Sequence, residues 1–290
     1  MDKRQLGKTD LMISPLGLGT VKFGRNEGVK YPSAFEIPDE DFLAELLARA
    51  KALGINMLDT APAYGQSEER LGRLLTGQRE DWVIIGKAGE EFEDGESSHI
   101  FTPDHFERSL ERSLKRLNTD YLDALLIHSN GHDMEILAQN DLIAKLRDFK
   151  DQGLVKAIGA STKTVEGGIM ALELLDIVMA SYNPAYTDEK PVLDYAAKHG
   201  GGLILKKALA SGHVDRIDPS RFPRENGNLC TSEKQIPACA GNAVEYSLNF
   251  AFDHPGVDAI IVGTINPKHL EENVKAAQSA LRLRNAHADF

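Results

Sequence analysis

Short apolar runs of the strand type recur eight times along the chain, and longer segments of helical periodicity lie between them. The runs are residues 16–18, 55–58, 83–85, 122–127, 155–158, 177–179, 203–205 and 259–262. Eight strands alternating with helices in 290 residues predict an α/β fold of the (β/α)8 TIM-barrel type. The alternative is a doubly wound sheet, which usually carries a Gly-x-Gly-x-x-Gly turn after its first strand. The first run ends in Gly17-Leu18-Gly19-Thr20 without the third glycine, and this favours the barrel.

Turn and capping residues place further elements around these strands. Residues 4–6 and 11–14, joined by Gly7-Lys8-Thr9-Asp10, predict an N-terminal β-hairpin. Helices are predicted to begin after Asp39, Thr102 and Asn266, the last two followed directly by proline. No linker divides the sequence, so residues 1–290 are expected to form a single domain. The long irregular stretch 211–236 follows the seventh strand, and such a segment is typically a functional loop; we expect a lid.

Charge and composition exclude several classes of function. The formal net charge is −11, from 33 Lys and Arg against 44 Asp and Glu, which argues against a nucleic-acid surface. Two cysteines, Cys230 and Cys239, are too few for a disulfide framework or a Cys₄ zinc site, and no cluster has metal-ligand spacing. No apolar run reaches 18 residues, and residues 1–10 are charged. A soluble cytoplasmic protein that acts on a small molecule, without metal or membrane, is therefore expected.

Polar residues end three of the predicted strands, at the barrel face where active sites are built. Asp59 ends the second strand, Lys87 the third and His128 the fourth, while Tyr64 lies in the loop after Asp59. Each alone has a structural explanation, as a turn former, ion-pair partner, hydrogen-bonded histidine or packed ring. Together these four side chains are suited to general acid catalysis, in which one proton is donated to a substrate. Lys87 is expected to lower the pKa of Tyr64, with Asp59 holding the lysine in place.

The segment around Asp59 resembles the signature of a known family. It reads Gly54-Ile55-Asn56-Met57-Leu58-Asp59-Thr60-Ala61-Pro62-Ala63-Tyr64-Gly65, followed by Ser67-Glu68. Together with Lys87, His128 and the segments around them, this signature makes the chain similar to the aldo-keto reductases over nearly its whole length. The resemblance implies a barrel with NADP(H), or less often NAD(H), lying across the strand ends. It also implies that Tyr64 is the general acid that protonates a small-molecule carbonyl, with Lys87 and Asp59 tuning it and His128 orienting the substrate.

The resemblance further implies a set of residues that bind the cofactor. Besides Asp59, they are Gly19, Thr20, Val21, Ser161, Thr162, Lys206, Lys207, Leu209, Ser211, Gly263, Thr264, His269, Glu272 and Asn273. Four positions toward the nicotinamide depart from the family pattern. Val21 replaces a common Trp, and Thr162 replaces the Asn of a Ser-Asn pair that holds the amide. Met179 replaces a Gln that binds the same amide, and Lys206 replaces a Tyr that stacks on the ring. Lys206 and Lys207 are interpreted as partners of the pyrophosphate.

The residues at the adenosine end bear on the choice of cofactor. The family usually places Lys and Arg where this chain has Gly263 and His269, so no arginine fork is available for a 2′-phosphate. The family pattern favours NADP(H), and the missing fork predicts weak discrimination against NAD(H). Two other functions stay open: a Schiff-base lyase or aldolase that uses Lys87 or Lys206, and a cofactor-sensing binding subunit of the same fold.

Overall fold

Eight parallel strands close into a barrel in this computed structural model, which describes residues 1–213 and 243–288 and two short strands between them. The barrel strands are β3 (Leu16–Gly19), β4 (Met57–Asp59), β5 (Val83–Ala88), β8 (Leu122–His128), β9 (Val155–Ser161), β10 (Ile177–Ser181), β11 (Gly202–Lys206) and β14 (Ala259–Val262). They pair in chain order, and β14 closes the ring against β3. The prediction of a (β/α)8 barrel with eight strands at these places is confirmed.

Three short antiparallel pairs lie outside the barrel. They are β1 (Arg4–Gln5) with β2 (Met12–Ile13), β6 (Glu90–Glu93) with β7 (Glu96–His99), and β12 (Arg224–Glu225) with β13 (Asn228–Leu229). The first is the predicted N-terminal hairpin. The second was not predicted, although Asp94-Gly95 is a strong hairpin signal and both residues have positive φ, 50° and 83°. Most of the expected lid over 211–236, and Cys230 and Cys239, lie outside the described residues.

Helices cover the outside of the barrel. They are α1 (Val21–Gly24), α2 (Glu40–Ala52), α3 (Ser67–Leu74), α4 (Pro103–Leu117), α5 (Asp133–Leu137), α6 (Asn140–Asp151), α7 (Val165–Leu174), α8 (Lys190–His199), α9 (Ala243–Asp253) and α10 (Pro267–Ala288). The predicted starts are confirmed: Asp39 Oδ1 accepts from the Phe42 amide at 2.8 Å, and the Thr102 hydroxyl accepts from the His105 amide at 3.3 Å. Within the described part of the chain, no helix has the length and apolar character needed to cross a membrane.

One apolar cluster fills the inside of the barrel and a second surrounds it, so only one end of the barrel carries polar side chains. An inner cluster fills the barrel, with Met57, Ile85, Leu126 and Ile204 among its members, and the hairpin residues Leu6, Leu11 and Ile13 belong to the same cluster. A larger outer cluster lies between strands and helices. Because the hairpin plugs the amino ends of the strands, polar side chains collect at the carboxyl ends.

Candidate active site

Three neighbouring barrel strands bring the predicted catalytic side chains together. Asp59 is the last residue of β4, Lys87 lies near the end of β5, and His128 ends β8. The parallel register pairs Asp59 with Ile85 and Lys87 with Leu126, so all three lie near the carboxyl end of the barrel. Tyr64 follows β4 in a single 3-10 turn, Pro62–Tyr64. The barrel strands therefore position three of the four side chains, and a short turn supplies the tyrosine.

Lys87 is the centre of this cluster. Its Nζ donates to Asp59 Oδ1, to the Thr60 carbonyl at 3.3 Å and to the Tyr64 hydroxyl at 3.1 Å. Lys87 and Asp59 are both buried, so their ion pair is shielded from water. The ion pair and the two further hydrogen bonds hold Lys87 as an ammonium, and an ammonium has no lone pair with which to form an imine. The contacts at Lys87 therefore do not favour the Schiff-base alternative at this residue.

The titration of Tyr64 differs from the expectation drawn from the sequence. Burial holds the pKa of Tyr64 well above its usual value, and the negative charge of Asp59 raises it further. The Tyr64 hydroxyl also donates to Asp59 Oδ2 at 3.4 Å, which stabilises the neutral phenol. The net shift of this pKa is upward and not downward as expected, because burial, with the charge of Asp59 adding to it, outweighs the favourable effect of Lys87. Tyr64 stays protonated through neutral pH and is available as a proton donor.

His128 lies across the site from Tyr64. The two rings are 6.2 Å apart between centroids and nearly perpendicular, at 85°. Burial lowers the pKa of His128 well below its usual value, and the positive charges of Lys87, Lys206 and Lys163 act in the same direction. The imidazole is therefore neutral, and a neutral imidazole carries one N–H that can orient a carbonyl oxygen.

Glu90 and Arg25 complete the surroundings of His128 and were missed from the sequence. Glu90 Oε2 lies 3.1 Å from His128 Nδ1, although the ring is not aligned for a hydrogen bond. Arg25 Nη1 lies 3.7 Å from Glu90 Oε1 and donates to the Ala63 carbonyl at 3.0 Å. These contacts tie the β6–β7 hairpin to the turn that carries Tyr64. Glu90 follows Lys87 by only three residues, and this spacing could have indicated from the sequence that its carboxylate lies near the site.

Tyr31 was also missed, and it connects this cluster to the opposite side of the barrel mouth. A Cβ added to Gly263, just after β14, would lie 2.9 Å from the Tyr31 hydroxyl, and one added to Gly212 would lie 3.2 Å from Pro32 Cδ. Lys22 Nζ lies 4.1 Å over the Tyr31 ring. Burial raises the pKa of Tyr31 to about 12, with a contribution from Asp59. The loop between α1 and α2 therefore reaches the ends of β11 and β14.

The residues predicted to hold a cofactor line the mouth between β3, β9, β11 and β14, which we call the cofactor groove. Gly19 ends β3, Thr20 follows it, and Val21 begins α1. The Thr20 hydroxyl donates to the Asp59 carbonyl at 2.9 Å and accepts from Ser67 at 2.7 Å, so it fixes two strand ends. Ser161 is buried at the end of β9, and Thr162 follows it.

Lys206 ends β11 and is half-buried, whereas Lys207 is exposed. Leu209 and Ser211 lie in the turn that follows, and Lys207 and Ser211 both have φ near +57°. Met179 is buried inside the barrel, in register with Ser161, and has no polar group for a hydrogen bond.

The remaining predicted positions surround the start of α10. Thr264 is buried and its hydroxyl accepts from the Asn266 amide at 3.0 Å, while Asn266 Oδ1 caps the helix through the Lys268 amide at 2.9 Å. His269 and Glu272 are exposed, and Asn273 is buried. Lys268 Nζ lies 3.9 Å from Glu272 Oε1, and 81% of the lysine side chain is exposed, so an anionic group of a ligand can also reach it.

A sequence profile of the Aldo/keto reductase family matches residues 15–285. The chain belongs to the aldo-keto reductase family. It is therefore an NAD(P)H-dependent oxidoreductase. Across residues 1–213 and 243–286, this reductase shows no group of three or more His, Cys, Asp or Glu side chains that could hold a metal ion.

Two curated relatives match this aldo-keto reductase over nearly its whole length. Uncharacterized oxidoreductase YqkF of Bacillus subtilis is 27% identical over 96% of this chain and 92% of its own. The NADH-specific methylglyoxal reductase of Escherichia coli is 29% identical, over 95% and 93% respectively.

Solved structures show the same barrel. The crystal structure of PA4992 from Pseudomonas aeruginosa is 49% identical, with a TM-score of 0.81 and coverage of 96% of each chain. The holo form of the aldo-keto reductase AKR11C1 from Bacillus halodurans shares the fold at a TM-score of 0.74 and 23% identity, covering 98% of this chain and 96% of that one.

The cofactor groove of the reductase fits a nicotinamide dinucleotide. The Thr162 hydroxyl is buried and lacks a hydrogen-bond partner among the described residues, so it is available to an amide group of a ligand. The lysine pair at the end of β11 supplies positive charge in an otherwise acidic protein, as a pyrophosphate requires. Both features are explained by a ligand that carries an amide at one point and phosphates at another.

Proposed function

We propose that the protein reduces the carbonyl group of an aldehyde or ketone with NADPH, and that Tyr64 is the proton donor. The observation that carries the proposal is the contact of the Tyr64 hydroxyl with Lys87 Nζ at 3.1 Å, in a buried cluster with Asp59. A tyrosine hydroxyl beside a fixed ammonium is suited to give up its proton only when negative charge develops next to it.

Each catalytic residue has a distinct task in this proposal. When bound, the reduced nicotinamide supplies the hydride that is added to the carbonyl carbon. Tyr64 donates its hydroxyl proton to the carbonyl oxygen, and Lys87 stabilises the phenolate that remains. Asp59 holds Lys87 in place through their ion pair. The neutral His128 donates a hydrogen bond that orients the carbonyl oxygen, and water returns the proton to Tyr64 afterwards.

We propose the residues of the cofactor groove named above as the cofactor-binding set, with Ser161 and Thr162 toward the nicotinamide amide. In this proposal Lys207 neutralises phosphate charge, and Thr264, His269 and Asn273 bind the adenosine. Lys206 is assigned to the nicotinamide end of the groove, because its Nζ contacts Ser161 and Thr162, and not to the pyrophosphate as interpreted from the sequence. The closed barrel and the family match over residues 15–285 support a further proposal, that residues 1–290 form one domain.

The test is turnover of a carbonyl panel by the purified protein. Methylglyoxal, aldoses, aromatic aldehydes and simple ketones are offered with NADPH or NADH, and loss of reduced-nicotinamide absorbance is followed. We expect at least one aldehyde to be reduced, with the alcohol identified by mass. Binding of NADPH without turnover of any carbonyl would support the alternative of a cofactor-sensing subunit. A borohydride-trapped adduct of an aldehyde at Lys206 without hydride transfer would support the lyase.

Cofactor preference is expected to be weak. The segment 263–269 offers only Lys268 and His269 as side chains that can carry positive charge, next to the positive end of α10. We expect kcat/KM for NADPH to exceed that for NADH by about tenfold.

The variant His269→Gln tests whether the histidine contributes to recognition of the 2′-phosphate. Its preference for NADPH over NADH should be lower than that of the unmodified protein. A strong preference that is the same in both proteins would show that other residues bind the phosphate. Strict use of NADH would overturn the proposal for NADPH.

A further inference from the structure

Lys206 spans one barrel strand to reach its partners. It ends β11, yet its Nζ donates to the Ser161 hydroxyl at 2.8 Å and to the Thr162 carbonyl at 2.6 Å, both at the end of β9. The strand β10 lies between them in the barrel and contributes the apolar Met179 at the level of Ser161. The lysine side chain therefore lies across the end of β10, inside the mouth of the barrel and not on its outer rim.

The charge of Lys206 is not neutralised by a direct ion pair among the described residues. Lys207, Lys163 and Lys87 act on it as nearby cations, and the carboxylate of Glu189 opposes them. Glu189 is itself held by the Ser181 amide, which donates to Glu189 Oε2 at 3.1 Å. Burial lowers the pKa of Lys206 to about 7; Glu189 opposes this shift and the three lysines add to it.

Lys206 also faces the catalytic cluster. Its positive charge is one of those that lower the pKa of His128, and the charge of Lys87 in turn contributes to the lowered pKa of Lys206. A hydride donor must lie within a few ångströms of a carbonyl held by Tyr64 and His128. The nicotinamide ring therefore has to lie in the mouth that Lys206 lines, beside the unpartnered Thr162 hydroxyl.

The two redox forms of the cofactor differ by one charge at this place. The oxidised ring is a cation and the reduced ring is neutral, while the phosphates are the same in both forms. We propose that Lys206 makes this site bind the reduced cofactor more tightly than the oxidised one, by repelling the positive ring. The inference rests on the proposed function and adds a residue that favours occupancy of the site by NADPH when both forms of the cofactor are present.

The test compares the dissociation constants of NADP⁺ and NADPH, measured by titration calorimetry without a carbonyl substrate. We expect the ratio Kd(NADP⁺)/Kd(NADPH) at pH 6 to fall about tenfold in Lys206→Met, because a partly screened unit charge contributes energies of this order. In the unmodified protein the ratio should decline from pH 6 to pH 9 as Lys206 loses its proton. A group that contacts only the phosphates changes both Kd values equally, so its effect cancels in the ratio.

Two further variants make the result specific to the charge of Lys206. Lys206→Arg keeps the charge and should keep the ratio, whereas Lys190→Met removes an exposed lysine of α8 and should leave the ratio unchanged. Thermal melts check that each variant is folded, and Lys206→Gln replaces the Met variant if that one fails to fold.

If the ratio is unchanged in the folded Met or Gln variant, the inference is overturned while the proposed function stands. The same holds if the variant loses affinity for NADP⁺ and NADPH equally. A wild-type protein that binds neither form would overturn the proposed function and the inference together.

Discussion

Replacing Tyr64 with phenylalanine is expected to lower kcat for carbonyl reduction about a thousandfold. The change deletes only the hydroxyl that donates to Asp59 and accepts from Lys87, so the developing alkoxide loses its proton donor. The ring keeps its edge contact with His128, and the fold should be retained. Steady-state kinetics with a preferred aldehyde measure the loss, and calorimetry should give a cofactor Kd within about twofold of the unmodified value.

A matched control separates this effect from general loss of a tyrosine hydroxyl. Tyr121 precedes β8 at the opposite end of the barrel, where its ring is covered by the side chains of Arg79 and Lys156. Tyr121→Phe should leave kcat unchanged. Near-normal turnover by Tyr64→Phe would remove Tyr64 from the mechanism, since no other hydroxyl is hydrogen-bonded to Lys87 among the described residues.

Replacing Lys87 with methionine is expected to lower kcat about a hundredfold and to change the pH profile. Removing the ammonium destabilises the phenolate, so the pKa of Tyr64, already raised by burial, rises further. Reduction needs the neutral phenol and should therefore stay level between pH 6 and pH 9 in both proteins, at a lower value in the variant. Alcohol oxidation needs the phenolate, so its increase with pH should move to higher pH in Lys87→Met.

Asp59→Asn provides the comparison for this prediction. It leaves the ammonium in place but removes the ion pair that positions it, so kcat should fall less than in Lys87→Met. Rates of reduction and oxidation between pH 6 and pH 10.5, with melting temperatures of both variants, measure the two effects. A raised KM with an unchanged kcat and pH profile in Lys87→Met would show that Lys87 only assists cofactor binding.

The barrel and the catalytic cluster were predictable because both follow from strand periodicity. Buried parallel strands are continuous apolar runs, and a polar residue that ends such a run lies at the carboxyl end of the barrel. This is why Asp59, Lys87 and His128 come together as predicted. The hairpin at Glu90–His99 has an equally local signal in its Asp94-Gly95 turn, so it could also have been predicted from the sequence, although it was not.

The rest of the site depends on contacts that no local pattern contains. Tyr31 reaches Gly263 through a loop whose course is set by packing against Lys22 and Phe35, far from any periodic segment. The direction of the Tyr64 pKa shift depends on burial, which residue types alone do not give. The approach of Lys206 to Ser161 across β10 likewise appears only once the barrel is closed.

The contacts of Tyr31 with Gly263 and of Pro32 with Gly212 also have a kinetic meaning. They join loops that follow different strands of the barrel, above the space in which a dinucleotide has to lie. We expect a molecule enclosed beneath such a bridge to leave only when the bridge opens. Its residence time should then depend on a motion of the polypeptide, and we expect release of the spent cofactor, rather than transfer of hydride, to limit the steady-state rate.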